Sequence, residues 1–312
     1  MLEILLAQPR GFCAGVTRAI DVVSLALQRF GAPVYVFHEI VHNQHVVNDL
    51  RERGAIFVND INDIPLGSVT IFSAHGVSKA VVNAAGRRHL ESIDATCPLV
   101  TKVHLQAQRF HARGYHLVMI GHAGHEEVEG TIGSVDGPVH LVATRDDVDQ
   151  LPWAQEAPVA YVTQTTLSLD DTRDLLSALK QKYPHVVGPE VNDICYATQN
   201  RQNAVRDLAR QVDLMLVVGA HNSSNSNRLW EVAKKAGCAA YLVQDASELD
   251  PVWWAQGVKK IGISSGASTP EILVQQVIDR LLKTAPGTVK ACDGLQEHVM
   301  FRLPRSLEGL AA

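Results

Sequence analysis

Short apolar runs alternate with amphipathic stretches along nearly the whole chain, and this alternation confines the fold more tightly than any other feature. Strands are read at 3–6, 34–37, 69–72, 117–120, 159–163, 214–218, 240–243 and 260–263. Most are continuous Val, Ile and Leu, which predicts strands covered on both faces, as in parallel sheets. Between them, 18–29, 101–113, 170–182, 199–211, 227–236 and 270–283 place apolar residues three and four apart. That spacing is the pattern of a helix lying on a sheet.

The alternation also repeats threefold. A cysteine precedes a helix each time: Cys13 before TRAIDVVSLAL, Cys97 before TKVHLQAQRF and Cys195 before QNRQNAVRDLAR. The next strand ends in a polar cluster, HEIVHNQH, GHAGHEEVEGT or GAHNSSNSN, and a later one opens a helix through SAHGVSKA, TQTTLSLDD or SSGASTPE. The cysteines lie about 90 residues apart, room for one modest α/β unit each. The expected fold class is therefore α/β, with three similar domains and mostly parallel sheets. The domains are read as 1–96, 97–193 and 194–283; the tail 284–312, with EHVMFRLP as a late strand, is a candidate to complete the first. Ligands of open parallel sheets bind beyond the carboxyl ends of the strands. Three domains facing a common centre would bring three cysteines and six polar loops together.

Composition narrows the class. Hydrophobic residues make up 46% but aromatics only 5%, so the cores must be aliphatic. No apolar run approaches the roughly 18–20 residues of a membrane span, and MLEILLAQPRGFC lacks the basic start of a signal peptide. The expectation is a cytoplasmic protein with no membrane partner. A net charge of −5 and no basic run argue against nucleic acid as a partner.

Five cysteines without a CxxC pair do not make a disulfide framework in a reducing compartment. Cys238, in GCAAYLV, reads as a core thiol, and Cys292 falls in an irregular tail. Cys13, Cys97 and Cys195 each stand ahead of a helix, so the repeat favours them as metal ligands. Three thiolates suit zinc with a histidine, or a [4Fe–4S] cluster with one iron lacking a cysteine. The closely spaced ligand pairs of structural zinc are absent. An iron without a thiolate is an open Lewis-acid position.

His42, His75, His125, Ser223, Ser224, Asn225 and Ser268 lie in the polar clusters after strands. The plainer reading is loop histidines and helix caps: Ser168 before LDDTRDLL is a cap, and Ser268 with Glu271 has capping-box spacing. Caps and anion sites use the same unpaired N–H groups, so several such loops would hold a phosphate or diphosphate. No G-x-x-x-x-G-K-[ST] and no post-strand G-x-G-x-x-G supports ATP or dinucleotide binding. Glu126, Glu127 and Glu129 either complement a helix dipole or include a proton donor. Spacing alone leaves the three equivalent.

The segments PRGFCAGVTRAI, HEIVHNQHVV, FSAHGVS, DATCPLVTKVH, IGHAGHEEVEGT, TQTTLS, NDICYATQNRQ, HNSSNSNRL and SGASTPEILV, in order from Pro9 to Val274, resemble the 4-hydroxy-3-methylbut-2-enyl diphosphate reductase family of the non-mevalonate isoprenoid pathway. The resemblance implies three α/β domains in pseudo-threefold arrangement around a central iron–sulfur cluster. It implies one [4Fe–4S] cluster on Cys13, Cys97 and Cys195 with one open iron site. It places His42, His75, His125, Ser223, Ser224, Asn225 and Ser268 at a diphosphate, Thr165 at the substrate hydroxyl and Glu127 as proton source. It implies a small allylic diphosphate substrate and a ferredoxin- or flavodoxin-type electron donor, since no flavin or nicotinamide motif is visible. Members of the family commonly read H-P-E-V-E-G-T where Glu126 stands here in the proline position, and His221 precedes NSSN. The alternatives are a non-catalytic iron–sulfur sensor and a zinc-dependent hydrolase of a phosphorylated metabolite.

Overall fold

The computed structural model describes residues 1–189, 193–255 and 257–308. In chain order the elements are β1 (Leu2–Leu6), α1 (Ala14–Phe30), β2 (Val34–Phe37), α2 (Gln44–Glu52), β3 (Ala55–Val58), β4 (Val69–Phe72), α3 (Lys79–Arg87) and β5 (Glu91–Asp94). Next come α4 (Pro98–Ala112), β6 (His116–Ile120), α5 (Glu126–Ile132), β7 (Val139–Val142), α6 (Arg145–Asp149), β8 (Val159–Thr163) and α7 (Leu169–Lys182). The chain closes with α8 (Tyr196–Ala209), β9 (Leu214–Val218), α9 (Ser224–Lys235), β10 (Ala239–Val243), β11 (Lys260–Ser265), α10 (Glu271–Thr284) and β12 (Gly287–Ala291). Among the described residues no helix is long and apolar enough to cross a membrane.

The strands form three sheets, ordered β10-β9-β11-β1-β12, β3-β2-β4-β5 and β7-β6-β8, and every pairing is parallel. A parallel bridge from Ala160 in β8 to Val187 gives the third sheet a short fourth member. Each sheet thus repeats one order, in which the first strand of a segment lies second, its successor takes the edge, and a fourth strand lies beyond the third.

The fourth strand is β5 in one sheet, the Val187 bridge in another, and β1 in the last. The chain's first strand, expected with residues 1–96, therefore pairs with β11 and β12 instead. Its Leu-Ile-Leu-Leu run needs cover on both faces, which the interior of the five-stranded sheet supplies. Among the described residues the tail contributes one strand, β12, and 297–304 is not a strand.

The chain divides into two compact units. Unit 1 comprises Met1–Ala14, His42–Gln44 and Tyr196–Met300; unit 2 comprises Gly15–Val41, His45–Cys195 and the residues from Phe301. In unit 1 the strands bury both faces because successive side chains point oppositely. Ile4, Leu216 and Ile263 pack with Val274, Val277 and Leu281 of α10, while Leu5, Met215 and Val217 pack with Val205 and Leu208 of α8 and Leu229 and Val232 of α9. Each such fully buried aliphatic contributes roughly 1.5–3 kcal/mol.

In unit 2, α4 shows how the sequence sets an element. Cys97 is its N-cap and Pro98 occupies N1, where the missing N–H costs nothing. Val100, Val103, Ala107 and Phe110 then form its buried stripe.

Candidate active site

Cys13 follows β1 and Cys97 follows β5, and each of the three cysteines stands directly before a helix start, α1, α4 or α8. The cysteine N–H is bonded in the same way all three times. The Cys13 N–H donates to Ala267 O at 3.2 Å, Cys97 to Ala74 O at 3.0 Å and Cys195 to Thr165 O at 3.1 Å. Every acceptor lies in the loop after the third strand of the same sheet. None of the five cysteines is in a disulfide. Cys238 and Cys292 instead pack against the aliphatic core of unit 1, where burial pushes both thiols up.

Unit 1 carries Cys13 with His42 and the α9 and α10 loops. Arg201, 1% exposed, donates to Gly11 O at 3.1 and 2.8 Å and to Phe12 O at 3.3 Å, and pairs with Glu297 at 3.0 Å. This buried guanidinium holds the turn that presents Cys13. Ser223 caps α9 by accepting the Ser226 N–H, Ser224 opens the helix, and Asn225 Oδ1 accepts the Ala267 N–H at 2.8 Å. Ser268 does not cap α10, because Pro270 takes that position. Its hydroxyl donates to His42 O at 3.0 Å, tying two of the expected loops together.

Unit 2 carries Cys97, Cys195, His75, His125, Glu127 and Thr165. His125 is the N-cap of α5, its Nδ1 accepting the Glu127 N–H at 3.1 Å, and its ring meets His75 edge-on at 5.9 Å. Helix α5 comes close to the 73–76 turn because Gly130 faces Gly76 O, which a Cβ would meet at 3.0 Å.

Glu127 is 2% exposed. Its Oε1 accepts the Thr165 N–H at 2.6 Å and its Oε2 accepts the Thr165 hydroxyl at 3.0 Å. Since Thr165 O accepts the Cys195 N–H, one residue links the buried carboxyl group to a cysteine turn. Burial pushes Asp193 up to about 6, with the Thr163 N–H and Lys102, 3.8 Å away, opposing the rise.

A family model described as LytB protein matches residues 4–282. The chain belongs to the LytB family. It is 56% identical over 312 residues to the 4-hydroxy-3-methylbut-2-enyl diphosphate reductase of Zymomonas mobilis, covering all of this chain and 92% of the relative. It is 56% identical over 302 residues to 4-hydroxy-3-methylbut-2-enyl diphosphate reductase 1 of Rhodopseudomonas palustris, covering 97% of this chain and 98% of the relative. Among solved structures it is similar to the E-1-hydroxy-2-methyl-but-2-enyl-4-diphosphate reductase from Plasmodium falciparum, with TM-score 0.94 and 40% identity over 98% of this chain and 96% of that one. A second match is an (E)-4-hydroxy-3-methyl-but-2-enyl diphosphate reductase described as the terminal enzyme of the non-mevalonate pathway. There the TM-score is 0.64 and the identity 34%, over 91% of this chain and all of that one.

Two further ion pairs involve residues singled out in the sequence. Glu126 reaches back to His75, its Oε2 lying 2.8 Å from Nδ1, with His38 Nδ1 at 3.8 Å from Oε1. The Glu126 carboxylate is thus turned onto His75. His221 pairs with Glu248 at 3.1 Å on the exposed start of α9. Sequence reasoning passed over Arg201, Asp193 and His38. An arginine inside a helix reads as solvated, and only its packing shows otherwise.

Proposed function

We propose that this chain is an iron–sulfur reductase that converts (E)-4-hydroxy-3-methylbut-2-enyl diphosphate to isopentenyl and dimethylallyl diphosphates. Two electrons and two protons are taken up and one water leaves. Membership of the LytB family and relatives matching nearly end to end support this reading. Three thiols on equivalent turns, with no disulfide, suit one [4Fe–4S] cluster on Cys13, Cys97 and Cys195. When bound, that cluster supplies the electrons and, at its iron without a cysteine, a Lewis-acid position for the substrate hydroxyl.

The chain's own residues then bind, orient and protonate. The imidazoles of His42, His75 and His125 and the hydroxyl and amide groups of Ser223, Ser224, Asn225 and Ser268 hold the diphosphate. Binding energy gained at that remote group positions the reacting hydroxyl at the other end of the molecule.

The observation that carries the mechanism is the buried pair of hydrogen bonds between Glu127 and Thr165. A protonated Glu127 can donate to Thr165 Oγ1, whose rotatable hydroxyl then donates to the leaving oxygen. Carbon–oxygen cleavage consequently ends in water rather than hydroxide. Burial of the carboxyl group keeps bulk solvent from competing for that proton.

Replacing Glu127 with Gln removes the proton and little else. Turnover with reduced methyl viologen and the hydroxylated diphosphate should fall by about 10²-fold or more, while the broad visible absorbance of the cluster stays. Turnover close to that of the unsubstituted protein would refute the proton role. An unsubstituted protein that never oxidises viologen on addition of the diphosphate would overturn the reductase reading itself.

A further inference from the structure

Along the outer face of α4 runs a groove of about 790 Å³, and its charged lining is lopsided. Among the described residues, Arg18, Lys102, Arg109 and Arg113 line it against one carboxylate, Asp94. The chain as a whole carries a net charge of −5, so this is a local reversal of sign. No basic run appears in the sequence because helical spacing, not adjacency, gathers Lys102, Arg109 and Arg113 on one face. Arg18 comes from α1 and donates to the backbone carbonyls Ala95 O and Thr96 O at 3.1 Å and Arg302 O at 2.7 Å, with Asp94 as its nearby opposite charge.

Cations at the end of α4 complement its dipole, which accounts for Arg109 and Arg113. It does not account for Lys102, near the positive end of the helix, whose side chain stays 41% exposed beside Asp193. Nor does it account for Leu105, an apolar side chain 47% exposed in the middle of the stripe. A leucine ringed by cations is the composition of a docking surface, with steering charges around a desolvated centre. The groove also reaches the chain on both sides of Cys97. Thr96 and Pro98, the two neighbours of Cys97, are part of its wall. Leu105 lies eight residues along the helix from Cys97, roughly 12 Å.

We propose that this groove docks a small acidic one-electron carrier protein, which reduces the cluster at the Cys97 end of α4. The inference rests on the reductase reading, which needs an external donor. Two reduced carriers dock in turn, and each is oxidised by one electron. The substrate receives both electrons with two protons, its carbon–oxygen bond breaks and water leaves.

The test uses the cluster-loaded protein and an acidic [2Fe–2S] ferredoxin, with binding measured by anaerobic calorimetry. Arg109→Glu combined with Arg113→Glu should weaken binding by about tenfold or more and remove its sensitivity to salt, as expected for steering charges. The charge-conserving Arg109→Lys and Arg113→Lys pair should bind nearly as the unsubstituted protein does. Ferredoxin-driven turnover should fall with binding, while viologen-driven turnover and cluster absorbance are kept. Ferredoxin binding that ignores the charge reversal overturns the proposal, as does binding of anionic lipid vesicles in its place. Loss of viologen-driven turnover in every protein would indict the reductase reading instead, and the calorimetry would still decide the docking surface.

Discussion

Gly76 sits at φ +80°, and a Cβ there would lie 2.9 Å from the His104 ring and 3.1 Å from Thr96. The turn that carries His75 therefore rests directly on His104 of α4. Burial, opposed only by Asp94, pushes that imidazole down to about 4, and its Nε2 has no hydrogen-bond partner. The folded state holds His104 neutral, whereas the unfolded chain protonates it near 6.5. Its contribution to stability is whole above 6.5 and is lost as pH falls towards 4, on the order of 3 kcal/mol in all. Urea midpoints measured across that window should fall less steeply for a His104→Leu chain than for the unsubstituted one. Parallel slopes would mean that His104 does not titrate with folding.

At the scale of elements, Arg201 is the clearest case of a side chain that organises its surroundings. Arg201→Met keeps the reach of the side chain but takes the guanidinium from Gly11 O and Phe12 O and leaves the Glu297 carboxylate without its ion-pair partner. Breaking a buried pair this way costs about 3–5 kcal/mol. A thermal melt should show the loss, and a shift equivalent to under about 1 kcal/mol would contradict the assignment. Every strand read from the sequence is present except the one offered at 297–304, because interior strands such as β9 and β11 carry continuous apolar runs. The four that were not read, β3, β5, β7 and β12, all lie at sheet edges. In β5, Glu91 and Asp94 face solvent, so no apolar run marks it. Helix α5, with seven residues and three glutamates, is too short for helical periodicity to show. The candidate site is marked in the sequence where motifs carry it, as with Glu127 and the three cysteines, whose roles the substitutions are left to test. It was not legible where tertiary contact decides, as with Ser268, which bonds to His42 instead of capping its helix.

For the molecule as a whole, one strand order occurs three times, and the third copy is completed by the chain's own first strand. This closure explains why Cys13, near the N-terminus, follows β1 just as Cys97 follows β5. It also separates these two and Cys195 from Cys238 and Cys292, which pack into core without such a turn. The central claim is that the three equivalent turns hold one cluster. Iron and acid-labile sulfide, measured in anaerobically purified protein with each cysteine replaced by Ala in turn, test it most directly. About four irons per chain are expected in the unsubstituted protein, in Cys238→Ala and in Cys292→Ala, and marked loss in Cys13→Ala, Cys97→Ala and Cys195→Ala. A full complement of iron in any of those last three, or its loss from Cys238→Ala, would contradict the account.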